Sequence, residues 1–444
     1  MKIKNFMIYF VVFFALISCS KDQNTKIAIS DGSIDFVRNV ELKKNDYGNY
    51  RLFVDNEEFY VSGAGLEFGN QKVLASHGAN AFRTWCTENG RKTGQEVLDE
   101  AQSNGLMVFM GIEMGSERHG FSYEDENRVR KQKETIKESI LKYKDHPALL
   151  GWGIGNELNL QYTNTKVWDA VNDISLLIHE LDPNHPTTTM LAGISKELVG
   201  NISAQCDDLD FISIQMYGDM INLQQRIEEA GYDGPYMVTE WGAIGHWEVG
   251  STEWGAPIEQ TSTERAEGIK KRYEAAIEID KERCLGSFVF LWGQKQERTP
   301  TWYGLFTENE EEMQAIDQMH YYWNNGEWPK NQTPSIKSVL LNEKSAFENI
   351  HVGSNENLSF LYEAEDPDND ELTWRFEVME EATDLKVGGD RENKPMTIPD
   401  RQISAALGKV IFKAPEKSGA YRAFIYVLDG NNHAGTANIP FFVD

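Results

Sequence analysis

The sequence predicts an α/β fold, a (β/α)8 TIM barrel followed by a C-terminal immunoglobulin-like β-sandwich. Three observations predict it. From Phe59 onward, short apolar runs alternate with segments of helical period across polar or Gly-rich loops. Strands that alternate with helices form a parallel sheet. The alternation runs for eight rounds, which is the number that closes a barrel. Beyond about 329–334 the texture changes to short alternating strands between turn clusters, the pattern of a sandwich. A chain of 444 residues has room for a barrel of ~250 residues and one smaller module.

Residues 1–19 read as a targeting segment. Lys2 and Lys4 precede an apolar run from Met7 to Ile17 that is too short to span a bilayer with ordinary flanks. The run ends in Leu16-Ile17-Ser18-Cys19, which resembles a bacterial lipoprotein box. The resemblance implies cleavage before Cys19 and lipidation of its thiol, placing the chain at an outer membrane or cell surface. A plain secretory signal with a chance cysteine is the competing reading. Residues 20–30 are polar and read as a tether.

The barrel domain is expected over 31–330. It begins with a hairpin, 50–54 and 59–61 around the turn 55–58, that would plug the N-terminal end of the barrel. Barrel strands are expected at 59–68, 81–85, 107–113, 149–157, 187–191, 211–217, 236–240 and 285–292. The helices that follow them are expected at 72–77, 94–103, 124–143, 167–181, 196–202, 223–230, 263–281 and 311–323. The segment Asn331-Gln332-Thr333-Pro334-Ser335 is a linker signal, and the sandwich is expected over 331–444, with strands at 358–362, 372–376, 409–412 and 421–427. That module reads as a rigid appendage or spacer, with glycan binding as the minor option. Its run Asp366-Pro367-Asp368-Asn369-Asp370 reads as a solvated turn before a calcium loop.

Composition narrows the function. With 40% hydrophobic and 25% charged residues the chain is that of a folded soluble protein, and its formal net charge of -27 disfavours nucleic acid or an anionic membrane surface as partner. A neutral glycan suits it, and eleven Trp and seventeen Tyr suit flat sugar faces. Cys86, Cys206 and Cys284 are too widely spaced for a disulfide framework or a CxxC metal site and read as buried small residues. The sequence has no HExxH, GxSxG, Walker loop or strand-to-helix GxGxxG, and its nine His do not cluster at metal spacing. Neither a cofactor nor a metal is expected.

Two stretches share one grammar. Gly151-Trp152-Gly153-Ile154-Gly155-Asn156-Glu157 begins apolar and stops on an amide and a carboxylate. Gly234-Pro235-Tyr236-Met237-Val238-Thr239-Glu240-Trp241-Gly242 is a turn, a short apolar strand, a Glu, then Gly. Both acids fall at the C-terminal ends of parallel strands, where barrels do chemistry. Two carboxyls there are what glycosidic cleavage needs: one protonated to donate to the leaving oxygen, one ionised to attack the anomeric carbon, ~5–5.5 Å apart in retaining enzymes. Repulsion and burial should raise the pKa of Glu157 toward neutrality.

Asn156-Glu157 ending strand four and Glu240 ending strand seven resemble the retaining (β/α)8 glycoside hydrolases of clan A. In that clan the strand-four Glu is the acid/base and the strand-seven Glu the nucleophile, which implies those roles for Glu157 and Glu240. The segments Gly78-Ala79-Asn80-Ala81-Phe82-Arg83-Thr84-Trp85 and Val97-Leu98-Asp99-Glu100-Ala101 look like family 2 and family 5 barrels. Family 2 carries sandwich domains ahead of its barrel, where this sequence shows only a short hairpin. A lipoprotein barrel followed by one immunoglobulin-like module looks most like glycoside hydrolase family 158, which implies endo-β-1,3-glucanase activity. Another β-glycan endo-hydrolase, on mannan or β-1,4-glucan, a transglycosylase, and a non-catalytic surface glycan-binding lipoprotein stay open beside it.

Supporting residues follow from position. Asn156 would donate its amide to the sugar 2-OH, with a loop cap as the bland alternative. Tyr217 would donate its phenol to Glu240. Arg83, a charge in an apolar strand, would pair with Glu240, because an unpaired buried Arg is costly. Trp292 matches the clan's aromatic floor under the reacting sugar. Trp85, Glu113, His119, Trp247 and Trp254 are candidate sugar contacts at or after strand ends, as are Asn159, Tyr162, Trp241, His246, Gln294 and Trp302, with packing or loop roles as competitors. The loop 246–261 is long enough to be functional.

Overall fold

The computed structural model describes residues 37–399 and 401–444. The expected lipoprotein box with Cys19, and the tether, lie outside the described residues. Strands β1 (Val40–Lys44), β2 (Tyr50–Val54) and β3 (Glu57–Phe59) form an antiparallel sheet in that order. Asp55 and Asn56 make the tight turn between β2 and β3 with φ of 52° and 71°, the left-handed pair a two-residue hairpin requires. Leu52, Val54 and Phe59 share one buried cluster with Phe109, Leu150, Met237, Leu285 and Phe288 from the barrel. The small sheet thus closes the barrel's N-terminal end.

Eight strands form the closed barrel: β4 (Val61–Gly65), β5 (Ala81–Arg83), β6 (Met107–Ile112), β7 (Leu149–Asn156), β8 (Thr187–Ala192), β9 (Phe211–Gln215), β10 (Tyr236–Trp241) and β11 (Cys284–Val289). Neighbours are parallel all the way round, with β11 closing on β4. Every residue of β6 and of β11 is buried. A parallel barrel strand is covered on both faces, so its sequence is a continuous apolar run instead of an alternation. Around it lie α1 (Gln71–Ser76), α2 (Gly94–Ser103), α3 (Glu126–Tyr143), α4 (Lys166–Leu181), α5 (Lys196–Gln205), α6 (Leu223–Ala230), α7 (Ser262–Tyr273) and α8 (Ala315–Trp323). Capping boxes fix two of the starts, Thr93 with Glu96 at α2 and Thr261 with Glu264 at α7.

Helix α8 starts later than the expected 311. Glu311 is held by both guanidinium nitrogens of Arg375 (2.8 and 3.0 Å), and Glu312 N–H donates to Asn432 O (2.8 Å). These bonds to the C-terminal module keep 311–312 extended.

That module has two sheets. One runs β12 (Ser335–Leu341), β14 (Asn357–Glu365), β18 (Lys409–Lys413), β17 (Gln402–Ala406); the other runs β13 (His351–Val352), β20 (Ala434–Val443), β19 (Gly419–Leu428), β15 (Thr373–Glu380), β16 (Thr397–Ile398). Leu358, Phe360, Val410 and Phe412 face Ile425, Ile439 and Phe441 across one core. Four of these strands were expected; β12, β13, β16, β17 and β20 were not. Pro440 sits inside β20, and a proline argues against a strand from sequence.

The sandwich is docked, not tethered. Ile336 N–H donates to Thr263 Oγ1 (2.8 Å) and Thr436 N–H to Ser262 Oγ (2.9 Å), both at the start of α7. Arg422 donates to Pro257 O (2.8 Å). Among the described residues no helix is long and apolar enough to cross a membrane, and Cys86, Cys206 and Cys284 are free thiols.

Candidate active site

At the end of β7 the chain is lifted out of the sheet by left-handed backbone. Gly155 has φ +71°, and a Cβ there would come within 2.4 Å of Leu158 Cδ1, so only glycine fits. Glu157 itself has φ +50°, a conformation that costs a non-glycine residue on the order of 1–3 kcal/mol and clusters at functional sites. Its N–H is fixed to Met190 O of β8 (2.9 Å). Glu240 needs no such turn. It lies within β10, is 7% exposed, and projects into the same cavity.

Glu240 is surrounded by donors. Tyr217 Oη donates to its Oε1 at 2.6 Å, Trp85 Nε1 donates to its Oε2 at 3.2 Å, and Arg83 Nη1 stands 3.7 Å from Oε2. The Arg83 guanidinium is fully buried; it also donates to Thr239 O (3.1 Å) and Asn156 Oδ1 (2.7 Å) and lies 4.5 Å over the Trp85 ring. Burial lowers its pKa, while Glu240 and Glu157 oppose the loss of its proton. Burial and the Glu240 charge push the Tyr217 phenol well above its ordinary range, so it stays a donor. Trp85 is seated by Gly65 at the end of β4, where a Cβ would meet Trp85 Cη2 at 2.7 Å.

Glu157 has the opposite setting. Burial first, then the Glu240 charge, push its carboxyl up to about 8, against the opposing charges of Arg83, Arg118 and Lys295. Its neighbour is the Gln215 amide at the end of β9. Its nitrogen donates to Glu157 Oε1 (2.9 Å) and its oxygen accepts from Arg83 Nη1 (2.5 Å). Asn156, its oxygen held by Arg83, lines the cavity. One acid thus accepts hydrogen bonds from a phenol and an indole while the other is raised by burial, around one buried cation.

These groups sit in a cavity of about 1770 Å3 at the C-terminal barrel mouth, which brings together Glu157, Glu240, Asn156, Tyr217, Trp85, Trp247 and Trp292. Arg83 lies beneath them. Trp247 is 61% exposed on the rim, its ring edge-on to Tyr217 (5.6 Å), and offers a face for a sugar ring. His246 and Gln294 also line the cavity.

Several expected residues stand elsewhere. Trp292 borders the cavity but is fully buried, its N–H bound to Asn70 O (3.1 Å) and its ring packed on His77, Phe306 and Trp323. Phe290 lines the same wall, in ring contact with Trp85 and Tyr217. Trp254 packs against His351 and Phe442 of the sandwich, away from the cavity wall. Glu113 is exposed and off the wall, because β6 ends at Ile112 and the chain has left the sheet. His119 is exposed and bonded to Asp390 (2.9 Å), so it holds a sandwich loop instead of lining the cavity. Trp241 and Trp302 are buried in packing, Asn159 ties its loop to Ala192, and Tyr162 packs on Trp168.

Sequence reasoning passed over Gln215, although a polar residue ending the apolar run Phe211-Ile212-Ser213-Ile214 was a visible signal. It also passed over Phe290, Lys295 and Glu297 on the β11–α8 loop, and the stretch from Val387 to Lys394, which lines the cavity from the sandwich. In the sandwich itself Asp366, Asp370 and Asp429 converge. Asn331 and His433 bind Asp429, and Asn431 binds Asp370.

Residues 69–276 match the family model described as "Glycosyl hydrolases family 2, TIM barrel domain". A β-galactosidase of Thermoanaerobacter pseudethanolicus (strain ATCC 33223 / 39E) is 30% identical over 150 residues, 34% of this chain and 17% of that protein. The β-D-glucuronidase structure of Dictyoglomus thermophilum is similar at TM-score 0.51 and 19% identity, covering 66% of this chain and 55% of the other. The Faecalibacterium prausnitzii β-glucuronidase is similar at TM-score 0.50 and 19% identity, covering 65% and 52%. The chain spans about half the length of these two structures, and at this identity the likeness concerns the fold. The family model matched is that of family 2 and not family 158. The stretch 69–276 is therefore similar to glycoside hydrolase barrels in sequence, and the barrel resembles them in fold.

Proposed function

We propose that the chain is a retaining β-glycan hydrolase working by double displacement, and that its substrate is an internal β-1,3-glucan bond. The observation that carries the reading is the asymmetry of the two acids, Glu240 held by two hydrogen bonds with a guanidinium 3.7 Å away and Glu157 pushed up to about 8. Glu157 protonates the leaving oxygen while ionised Glu240 attacks the anomeric carbon and forms the glycosyl-enzyme. With the Glu240 charge consumed, Glu157 takes a proton from water, which then releases the sugar.

A neutral glycan fits the charges. On the cavity wall Lys295 is paired with Glu297 (2.8 Å), Arg118 with Asp390 (3.0 Å), and Lys394 with Glu308. Carboxylates outnumber cations there, which disfavours an acidic sugar. The size of the mouth and the rim Trp247 suit a chain longer than a disaccharide.

We also propose export and anchoring through a lipidated Cys19, on the strength of the segment 1–19; palmitate incorporation that a Cys19→Ala variant abolishes would support it, and equal labelling of that variant would refute it. The activity is tested by incubating the protein with laminarin, mannan, cellulose oligosaccharides and aryl β-galactosides and β-glucuronides. Short laminari-oligosaccharides appearing from laminarin before glucose support the reading. Preference for mannan or cellulose overturns the linkage, exclusive action on the aryl glycosides overturns chain-internal cleavage, and binding without new reducing ends overturns catalysis.

A further inference from the structure

The connection 381–396, between β15 and β16, is the longest in the sandwich; structureless loops beyond about 15 residues are uncommon and usually functional. It leaves its own sheets and runs to the barrel mouth. On one side it meets the β6–α3 loop. Arg118 donates to Val387 O (3.1 Å) and pairs with Asp390 (3.0 Å), which also binds His119. On the other side it meets the β11–α8 loop. Lys295 Nζ donates to Gly389 O (2.6 Å), and the buried carboxylate of Glu392 takes both the Arg298 N–H (2.6 Å) and the Arg298 guanidinium. The loop is thus a strap held along 386–392 between the β6–α3 loop on one flank and the β11–α8 loop on the other.

Its middle is seated on the catalytic loop. Gly388 has φ +61°, and a Cβ there would come within 2.7 Å of Leu160 Cδ2. Leu160 belongs to the loop that carries Glu157, the acid that faces the leaving oxygen. Val387 and Arg391 line the cavity from the strap. Val387 is 55% exposed. Arg391 is exposed and has no hydrogen-bond or ion-pair partner among the described residues, whereas Arg118, Lys295, Arg298 and Lys394 are all engaged.

We propose that the strap 381–396 forms the wall of a sugar-binding subsite on the leaving-group side, with Arg391 donating to a hydroxyl of a neutral β-linked hexose and Val387 covering its C–H face. The sandwich is then part of the active site. This rests on the hydrolase reading above, and adds the recognition of a glycosyl leaving group by a second domain.

The test compares wild type with an Arg391→Ala/Val387→Ser variant, both positions being exposed. Substrates are laminari-oligosaccharides, whose leaving group is a sugar, and an aryl β-glucoside, whose leaving group is not. A charged hydrogen bond lost to a hydroxyl should lower kcat/KM on the oligosaccharides about tenfold more than on the aryl glucoside, mainly through KM, and Arg391→Lys should recover part of it. Equal losses on both substrates, or none, would overturn the subsite. If wild type prefers another oligosaccharide of the panel, that series replaces the laminari series. If wild type cleaves none of them, the hydrolase reading fails and takes the subsite with it.

Discussion

The ends of β7 and β10 carry the same residue type at the same rim and treat it differently. At β10, Glu240 lies in the strand at a shift of register, is buried, receives a phenol and an indole N–H, and has a guanidinium 3.7 Å away. At β7, Glu157 sits on left-handed backbone, half-buried, and accepts from the single amide of Gln215. Two acids share one fully buried arginine. Burial, and then the Glu240 charge, raise the Glu157 carboxyl to about 8. Two chemically identical side chains stand in opposite settings made by their neighbours.

The largest expected effects come from removing either half of that contrast. Glu240→Gln should lower kcat by on the order of 10^4-fold or more, since no other nucleophile can take its place. A residual rate near wild type would show that Glu240 is not the attacking group. Glu157→Ala should lower the rate about 10^2- to 10^4-fold on sugar leaving groups and much less on activated aryl glycosides. Azide should restore turnover of that variant and yield a β-glycosyl azide, a product Glu240→Ala should not give. The reverse pattern would exchange the two roles.

The pH profile sharpens the same contrast. The Glu157 carboxyl is raised, so its acid form is present below about 8 and is lost as pH climbs through that value. The kcat/KM profile should fall on the alkaline side, about tenfold per pH unit at the limit, and Glu157→Gln should lack that limb. A profile flat to pH 10 would sink the assignment.

Smaller effects should follow from the donors. Tyr217→Phe removes a hydrogen bond to a carboxylate, worth roughly 1.5–3 kcal/mol, and should slow the reaction about 10- to 100-fold without unfolding the barrel. Gly65→Ala forces Trp85 off its seat, with an overpacking cost of about 1–3 kcal/mol. It should lower the melting temperature and weaken activity less than Tyr217→Phe does. An unchanged melting temperature would show that Trp85 is free to shift.

Much of this was legible in the sequence, for local reasons. Barrel strands covered on both faces are continuous apolar runs, so a polar residue at the end of one stands out, which is how Arg83, Asn156, Glu157 and Tyr217 could be placed. Trp292 reaches the cavity wall as expected. Past the end of β11 at Val289 no alternation says which aromatic faces inward, and Phe290 lines the same wall unforeseen. His119, Trp254 and the strap were illegible for another reason. Their roles depend on how the sandwich docks, through contacts such as Arg298–Glu392 and Arg118–Asp390, between residues far apart in the chain.

The most direct test of the central claim is to trap the glycosyl-enzyme. The Glu157→Ala variant, given 2,4-dinitrophenyl β-laminaribioside, should release dinitrophenol in a burst and accumulate one disaccharide adduct. Peptide mapping by mass spectrometry should place that adduct on Glu240. An adduct on another residue, or steady turnover with no adduct and the α-anomer as first product, would contradict the account.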